Sequence, residues 1–263
     1  MPAFDSVRAK LARAEMHLRD LKELAERFRA SHPYVIAAQR EPKPDPSQGV
    51  NYFFVLDRVD AVPAQIGLVA GDVLTNLRAA LDHLAWDLVA ACPPDPPDDY
   101  TAFPIKDKPP RAPGSGTPTQ LRISGGVSAK ALTAIEAAQP YNRPDGGTIH
   151  DDRLWILDRL VGIDKHRHLL LTQTAYDRVA FTTYGIRRNM PVMAAPRPLE
   201  NDAYIGTFFT PDLQEQVDVD IDLTTAITLR QSEPGGNQQL VMLLGRILKR
   251  IRDEIVPSFD GMC

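Results

Sequence analysis

The residues best suited to chemistry lie in the stretch 65–92, where polar side chains recur along an apolar sequence. Asp72, Asn76, His83 and Asp87 follow one another at spacings of four, seven and four. A helix turns by about 100° per residue, so these four side chains would form one polar stripe. An imidazole can take or return a proton near neutral pH, so the stripe is a candidate site.

The same stripe also has a structural interpretation. A solvated helix face would pair Asp72 with Asn76 and His83 with Asp87, and each such pair contributes only about 0.2–0.5 kcal/mol. In that interpretation the chain is a non-enzymatic interaction or accessory protein, and the polar stripe serves only the packing of its helices.

Arg78 precedes His83 in the segment RAALDH. This spacing resembles the Arg-x4-6-His pattern of the HEPN superfamily (higher eukaryotes and prokaryotes nucleotide-binding). The resemblance implies a helical bundle and, as in many members, metal-independent RNA cleavage completed across a homodimer. It covers only the helix around this motif, and Ala79 stands where many active members have a polar residue. The segments LRAALDHLAW and DKHR also resemble a family of uncharacterised bacterial proteins. That resemblance does not indicate any particular activity.

Under the HEPN resemblance, Arg78 and His83 form the catalytic pair. His83 would move protons, and the Arg78 guanidinium would hold the phosphate. Asn76 and Asp87 would orient the imidazole. Because Arg78 and His83 point about 140° apart on an ideal helix, we expect a homodimer or a helix distortion to complete the site.

A second charged segment, Asp164 to His168, lies in another predicted helix. Lys165, His166 or Arg167 beside Arg78 would make a cationic site for the phosphate of RNA or of a nucleotide. Asp164 would help to orient these groups.

This second segment has other interpretations as well. Its side chains form either a solvated helix face or, through Asp164 and Arg167, a buried network with the polar stripe that fixes helix register. A helical-bundle metalloprotein would use His83, Asp87 and a ligand from this segment. The sequence has no repeated Glu-x-x-His, so we predict neither a metal nor a cofactor.

Apolar residues at helical spacing predict the elements that position these groups. In 65–92 they form a seam that Pro93-Pro94 must end. The predicted helices are 5–30, 65–92, 127–138, 151–175 and 237–256. The seam consists of Ala70, Leu74, Leu77, Leu81, Leu84 and Leu88.

β-Branched and aromatic residues predict an antiparallel sheet from strands near 34–59 and 178–230. Between the helices lies a proline-rich loop, 93–118, in which Phe103 and Ile105 are expected to reach the core. The order of elements predicts one α+β domain over 1–263, with a bundle of long helices covered by the sheet.

Composition limits the class of protein. The 263 residues are 43% hydrophobic with a net charge of −4, which argues against coating nucleic acid by charge alone. Two cysteines are too few for a disulfide framework or a thiolate zinc site. The start lacks the apolar run of a signal peptide, and no uncharged stretch is long enough to span a membrane. We therefore expect a cytoplasmic protein without a membrane segment.

Overall fold

The fold is α+β in a computed structural model. The structure describes residues 4–42, 50–92, 96–111, 121–143, 147–183, 186–191, 197–210 and 221–262. Contacts divide the chain into two compact units. A helical unit comprises Met1–Lys22, Ala64–Leu170 and Gln231–Cys263, and a sheet unit comprises Glu23–Pro63 and Leu171–Arg230. The single domain expected over 1–263 stays a prediction.

The helical unit is built from amphipathic helices that end in short irregular turns. The last α-helix continues through a π-helical turn, Arg250–Ile255, and a 3₁₀ turn, Val256–Phe259. The α-helices are α1 (Asp5–Ala30, whose residues after Lys22 belong to the sheet unit), α2 (Ala64–Ala90), α3 (Ala129–Ala137), α4 (Arg153–Asp164) and α5 (Leu240–Lys249).

α2 is the central helix of this unit and packs against both α4 and α5. Every residue of the predicted seam is buried, and so are Val73, Ala80, Ala85 and Val89, so the buried surface is wider than one stripe. A helix apolar on most of its circumference must lie inside a protein. This burial leaves few directions in which α2 can present polar groups.

α4 is shorter than predicted. Asp152 caps it by accepting hydrogen bonds from the backbone N–H groups of Leu154 and Trp155, as expected for an acidic residue at a helix start. The predicted helix 151–175 is wrong beyond Asp164, because the chain turns there and enters a strand at Leu171. Threonines at 172 and 174 favour that strand over a helix.

The loop 96–111 lies against the helices rather than forming an element of its own. Phe103 is 1% exposed, as predicted, and Ile105 is half-buried. The buried Gln139 side chain accepts from the backbone of Lys106 and donates to the carbonyl of Pro104. The loop therefore satisfies its backbone polar groups through a buried side chain, which offsets the cost of burying them.

The sheet unit contains two antiparallel sheets within the described residues. β1 (Tyr34–Pro42) and β2 (Val50–Val59) form the predicted hairpin, and β6 (Tyr204–Thr210) pairs with the other side of β2. Phe54, Leu56 and Ile205 form the core cluster of this sheet.

The second sheet is built around β3 (Leu171–Thr183). β4 (Ile186–Pro191) and β5 (Arg197–Pro198) pair with one edge of β3, and β7 (Ile221–Leu229) pairs with the other. The strands expected near 34–59 and 178–230 are thus present, although β3 begins at Leu171. Residues 211–220 of the expected strand region lie outside the described residues, as do both ends of the proline-rich loop.

Candidate functional site

A pocket of about 860 Å³ opens beside α2 and α4, entirely within the helical unit. Its size is typical of ligand pockets in proteins. Two acidic side chains, Asp82 and Asp158, contribute to its walls. The basic and aromatic side chains that line it are Arg78, Trp155, Arg159, Lys165, His166 and Arg167.

Arg78 lies at the base of this pocket and is held in place by its neighbours. Its Nε and one Nη donate to the two carboxylate oxygens of Asp82 at 3.2 and 2.7 Å, and the same Nη donates to the Phe103 carbonyl at 2.7 Å. The other Nη is buried without a hydrogen-bond partner among the described residues, and lies 3.9 Å from an Asp158 oxygen. A bidentate pair with carboxylate is the geometry that guanidinium favours.

Asp82 joins this ion pair to the neighbouring loop. The Asp82 oxygen nearest Arg78 also accepts from the Phe103 backbone N–H at 3.1 Å. Both backbone groups of Phe103 are therefore hydrogen-bonded to the Arg78–Asp82 pair. Because the two side chains are only 17% and 33% exposed, the pair is better shielded than a surface salt bridge.

The segment after α4 supplies the cationic rim. The chain continues as a helical turn, in which the N–H groups of His166 and Arg167 donate to the Ile163 carbonyl. Lys165 and His166 are exposed at the rim. The two Nη atoms of Arg167 donate hydrogen bonds to the two carboxylate oxygens of Glu233, at 2.6 and 3.1 Å. Hydrogen bonding to this carboxylate raises the pKa of Arg167. The predicted grouping of Arg78 with Lys165, His166 and Arg167 is present.

His83 is placed elsewhere. Among the described residues, those that line the pocket do not include it. His83 is half-buried and interacts electrostatically with Asp87, as its spacing predicts. Burial raises the pKa of Asp87, as does the negative charge of Asp5, while His83 opposes the shift. Among the described residues, this pocket therefore includes Arg78 of the predicted pair and not His83.

Asn76 and Arg167 have other partners than those of the network expected between the polar stripe and the second charged segment. The Asn76 amide donates to the backbone carbonyl of Asp72 at 2.8 Å rather than to an imidazole, and Asp72 is exposed. Arg167 pairs with Glu233 instead of the stripe. Asp164 does lie over α2, where a Cβ on Gly71 would come within 2.5 Å of its carboxylate.

The chemistry available in the pocket is that of cations and one imidazole. In the part of the chain that the structure describes, no three His, Cys, Asp or Glu side chains are grouped closely enough to hold a metal ion. Guanidinium and ammonium groups bind phosphate and stabilise negative charge. His166 adds an imidazole, a side chain that often transfers protons in enzymes.

Four charged or aromatic pocket residues were not anticipated from the sequence: Asp82, Trp155, Asp158 and Arg159. Asp82 and Arg159 each follow a partner by four residues, since Arg78 pairs with Asp82 and the Arg159 guanidinium lies 5.5 Å from the Trp155 ring centroid. Side chains four residues apart lie together on one face of a helix, so both pairs could have been predicted from the sequence. Asp158 carries no such local signal, because its contact with Arg78 is made between two helices.

Comparisons of the chain with protein-family models, with curated proteins and with solved structures found no match. None of the described helices is long and apolar enough to cross a lipid bilayer.

Proposed function

We propose that this pocket binds phosphate groups of RNA or of a nucleotide. The observation that carries the proposal is the convergence of Arg78, Arg159, Lys165 and Arg167 on one concave surface of a chain whose net charge is −4. Basic groups concentrated in a cleft attract anions even when the protein as a whole is acidic. The HEPN resemblance of the Arg78 segment is consistent with such a ligand.

The basic residues differ in what they offer a phosphate. Lys165 and His166 are exposed at the rim and can contact an incoming anion without giving up a buried contact. Arg78 uses one edge of its guanidinium for Asp82, and its other Nη is buried near Asp158, so Arg78 contributes positive charge to the pocket rather than a direct contact with a ligand. Asp82 and Asp158 repel anions, so shape and position matter as much as net charge.

The first experiment measures binding of fluorescently labelled single-stranded RNA by polarisation as salt is varied. We expect Lys165→Gln to weaken binding about three- to tenfold, because it removes one phosphate contact, and to reduce the salt slope by about 0.7. Lys130→Gln, which removes the same charge from an exposed position on α3, is the matched control.

Competition then separates the two sources of phosphate. Adenosine monophosphate displaces the RNA at comparable concentrations if single nucleotides are the ligand, whereas only oligonucleotides do so if a strand is required. Equal losses in the Lys165→Gln and Lys130→Gln proteins would show that binding is nonspecific, and the proposal would fail.

A second candidate is metal-independent RNA cleavage, favoured by the position of His166 in the same pocket as Arg78. His166 would transfer protons while the cations stabilise the phosphate. Cleavage of an RNA pool in EDTA by wild type, His166→Ala and His83→Ala tests this assignment. Loss of activity only in His166→Ala is expected. Loss only in His83→Ala would favour the HEPN pair, which requires a homodimer, and no cleavage by wild type would leave binding alone.

A further inference from the structure

Trp155 stands out in the pocket because it is an aromatic ring among charges. It is half-buried on α4, and it lines the same cavity as the basic residues. His150 meets the ring in a T-shaped contact, with centroids 4.5 Å apart. The guanidinium of Arg159 lies over the ring at 5.5 Å from its centroid. The indole therefore contacts two side chains, His150 and Arg159, that are both exposed.

This arrangement provides a surface for stacking. Cation–π contact at an exposed position contributes only about 0.5–1 kcal/mol, so Arg159 can be displaced from the ring by a planar ligand. Nucleobases stack on aromatic side chains whatever their sequence, because every base has a π-face. A displaced Arg159 remains near enough to contact the phosphate attached to such a base.

The distance between the ring and the cationic rim limits the ligand. Trp155 and Lys165 are separated by ten positions along α4 and its terminal turn, which corresponds to about 15 Å at 1.5 Å per residue. Stacked nucleotides advance by about 3.4 Å each, so about four of them cover that length. The backbone positions that carry the two side chains are therefore farther apart than one nucleotide advances along a strand.

We propose that the pocket binds a single strand of about four nucleotides, with a terminal base stacked on Trp155 and a distal phosphate at Lys165 and His166. This rests on the proposed phosphate site and adds a specificity-determining residue to it. Trp155 selects a ligand that carries a base over a free phosphate, and the span from Trp155 to Lys165 favours a strand over a mononucleotide.

The test compares a four-nucleotide RNA with two versions in which the base at the 5′ or the 3′ end is absent and all phosphates remain. For wild type we expect one of these abasic strands to bind roughly five- to 150-fold more weakly, the range for one stacked base. Trp155→Leu should bind all three strands alike, at the affinity of the weaker abasic strand. Trp155→Phe keeps an aromatic ring and should retain most of the difference.

Fluorescence gives an independent readout, because the chain has only two tryptophans, Trp86 and Trp155. In Trp86→Phe the remaining indole should change its emission when the intact strand binds. In Trp155→Phe, which leaves the exposed Trp86, it should not.

The outcomes separate this inference from the proposed function. If the strands bind, but abasic and intact forms are equal in wild type or Trp155→Leu preserves their difference, stacking on Trp155 is refuted while the phosphate site stands. If a mononucleotide binds as tightly as the four-nucleotide strand, the proposed span is wrong. Absence of binding by every strand overturns both proposals.

Discussion

At the scale of single residues, Arg78 has two roles that compete. It lines the candidate site, and it also anchors the backbone of Phe103 through a shared contact with Asp82. A guanidinium held by a carboxylate is positioned well but has less positive charge to offer a ligand. If the proposed function is right, Lys165 and His166 would therefore make most of the phosphate contacts, and Arg78 would act as a fixed positive charge.

The structural role of Asp82 can be measured directly. Asp82→Ala should lower the free energy of unfolding by about 1–3 kcal/mol, since it leaves the largely buried Arg78 and the Phe103 N–H without their acceptor. Amide exchange at Phe103 should accelerate in the same variant. Asp158→Ala is the matched control, because Asp158 is 45% exposed and only 3.9 Å from Arg78, and it should cost less. Equal losses in the two variants would contradict this account.

The Arg78–Asp82 pair also shows where sequence reasoning stops at this scale. Its two members are four residues apart on a helix, so the pairing follows from local geometry. The contact with Phe103 spans 25 positions of chain and depends on how a loop folds back. Nothing in the sequence of that loop specifies which helix face its backbone meets, so this part of the site was not predictable.

At the scale of elements, α2 and α4 approach closely at Gly71, because glycine has no side chain. Gly71 leaves room for the Asp164 carboxylate, which is half-buried and interacts with Asp72. Burial raises the pKa of Asp164 above its ordinary value of 3.8, Asp72 adds to the shift, and His168 opposes it. A carboxyl group with a raised pKa binds its proton more tightly in the folded chain than in the unfolded one.

This shift gives Asp164 a definite effect on stability. The favourable contribution of its protonated form is present below the unfolded pKa and is lost as pH rises through the folded pKa. Asp164→Asn cannot ionise, so it should unfold at a higher temperature than wild type at pH 7 and at the same temperature near pH 3. Thermal unfolding across this range, with the exposed Asp99→Asn as control, tests the expectation. A gain in the Asp164 variant that persists unchanged at pH 3 would refute it.

Predictions of the elements succeeded where burial and periodicity coincide. The seam of α2 and the hairpin of β1 and β2 follow from spacing alone, and both are present. The boundary between α4 and β3 was misplaced, because Leu169 to Leu171 fit a helix as well as a strand. The tertiary contact that decides it, between Arg167 and Glu233, joins residues 66 positions apart.

At the scale of the whole molecule, the helical unit supplies every residue that lines the candidate site, from Arg78 to Pro234. The predicted bundle of helices and the predicted sheet are both present, but their strands are distributed between two sheets. β6 pairs with β2, and β7 pairs with β3, which separates strands that are consecutive in the late sequence. Long-range strand pairing of this kind is not encoded by alternation along any one strand.

The carboxylate of Glu233 has a topological consequence for the chain. Glu233 lies just after the chain has returned to the helical unit at Gln231. Its carboxylate pairs with Arg167 and accepts a hydrogen bond from the backbone N–H of Leu170, where the chain leaves that unit. Residues 171–230 are thus an excursion whose two ends are joined by one buried side chain. Segments with adjacent ends are those that domains exchange, lengthen or lose with least disturbance to the remainder. Because β6 of this excursion pairs with β2, a change that replaced these strands would also have to replace the partner of the β1–β2 hairpin, whereas the residues that line the pocket lie outside the excursion.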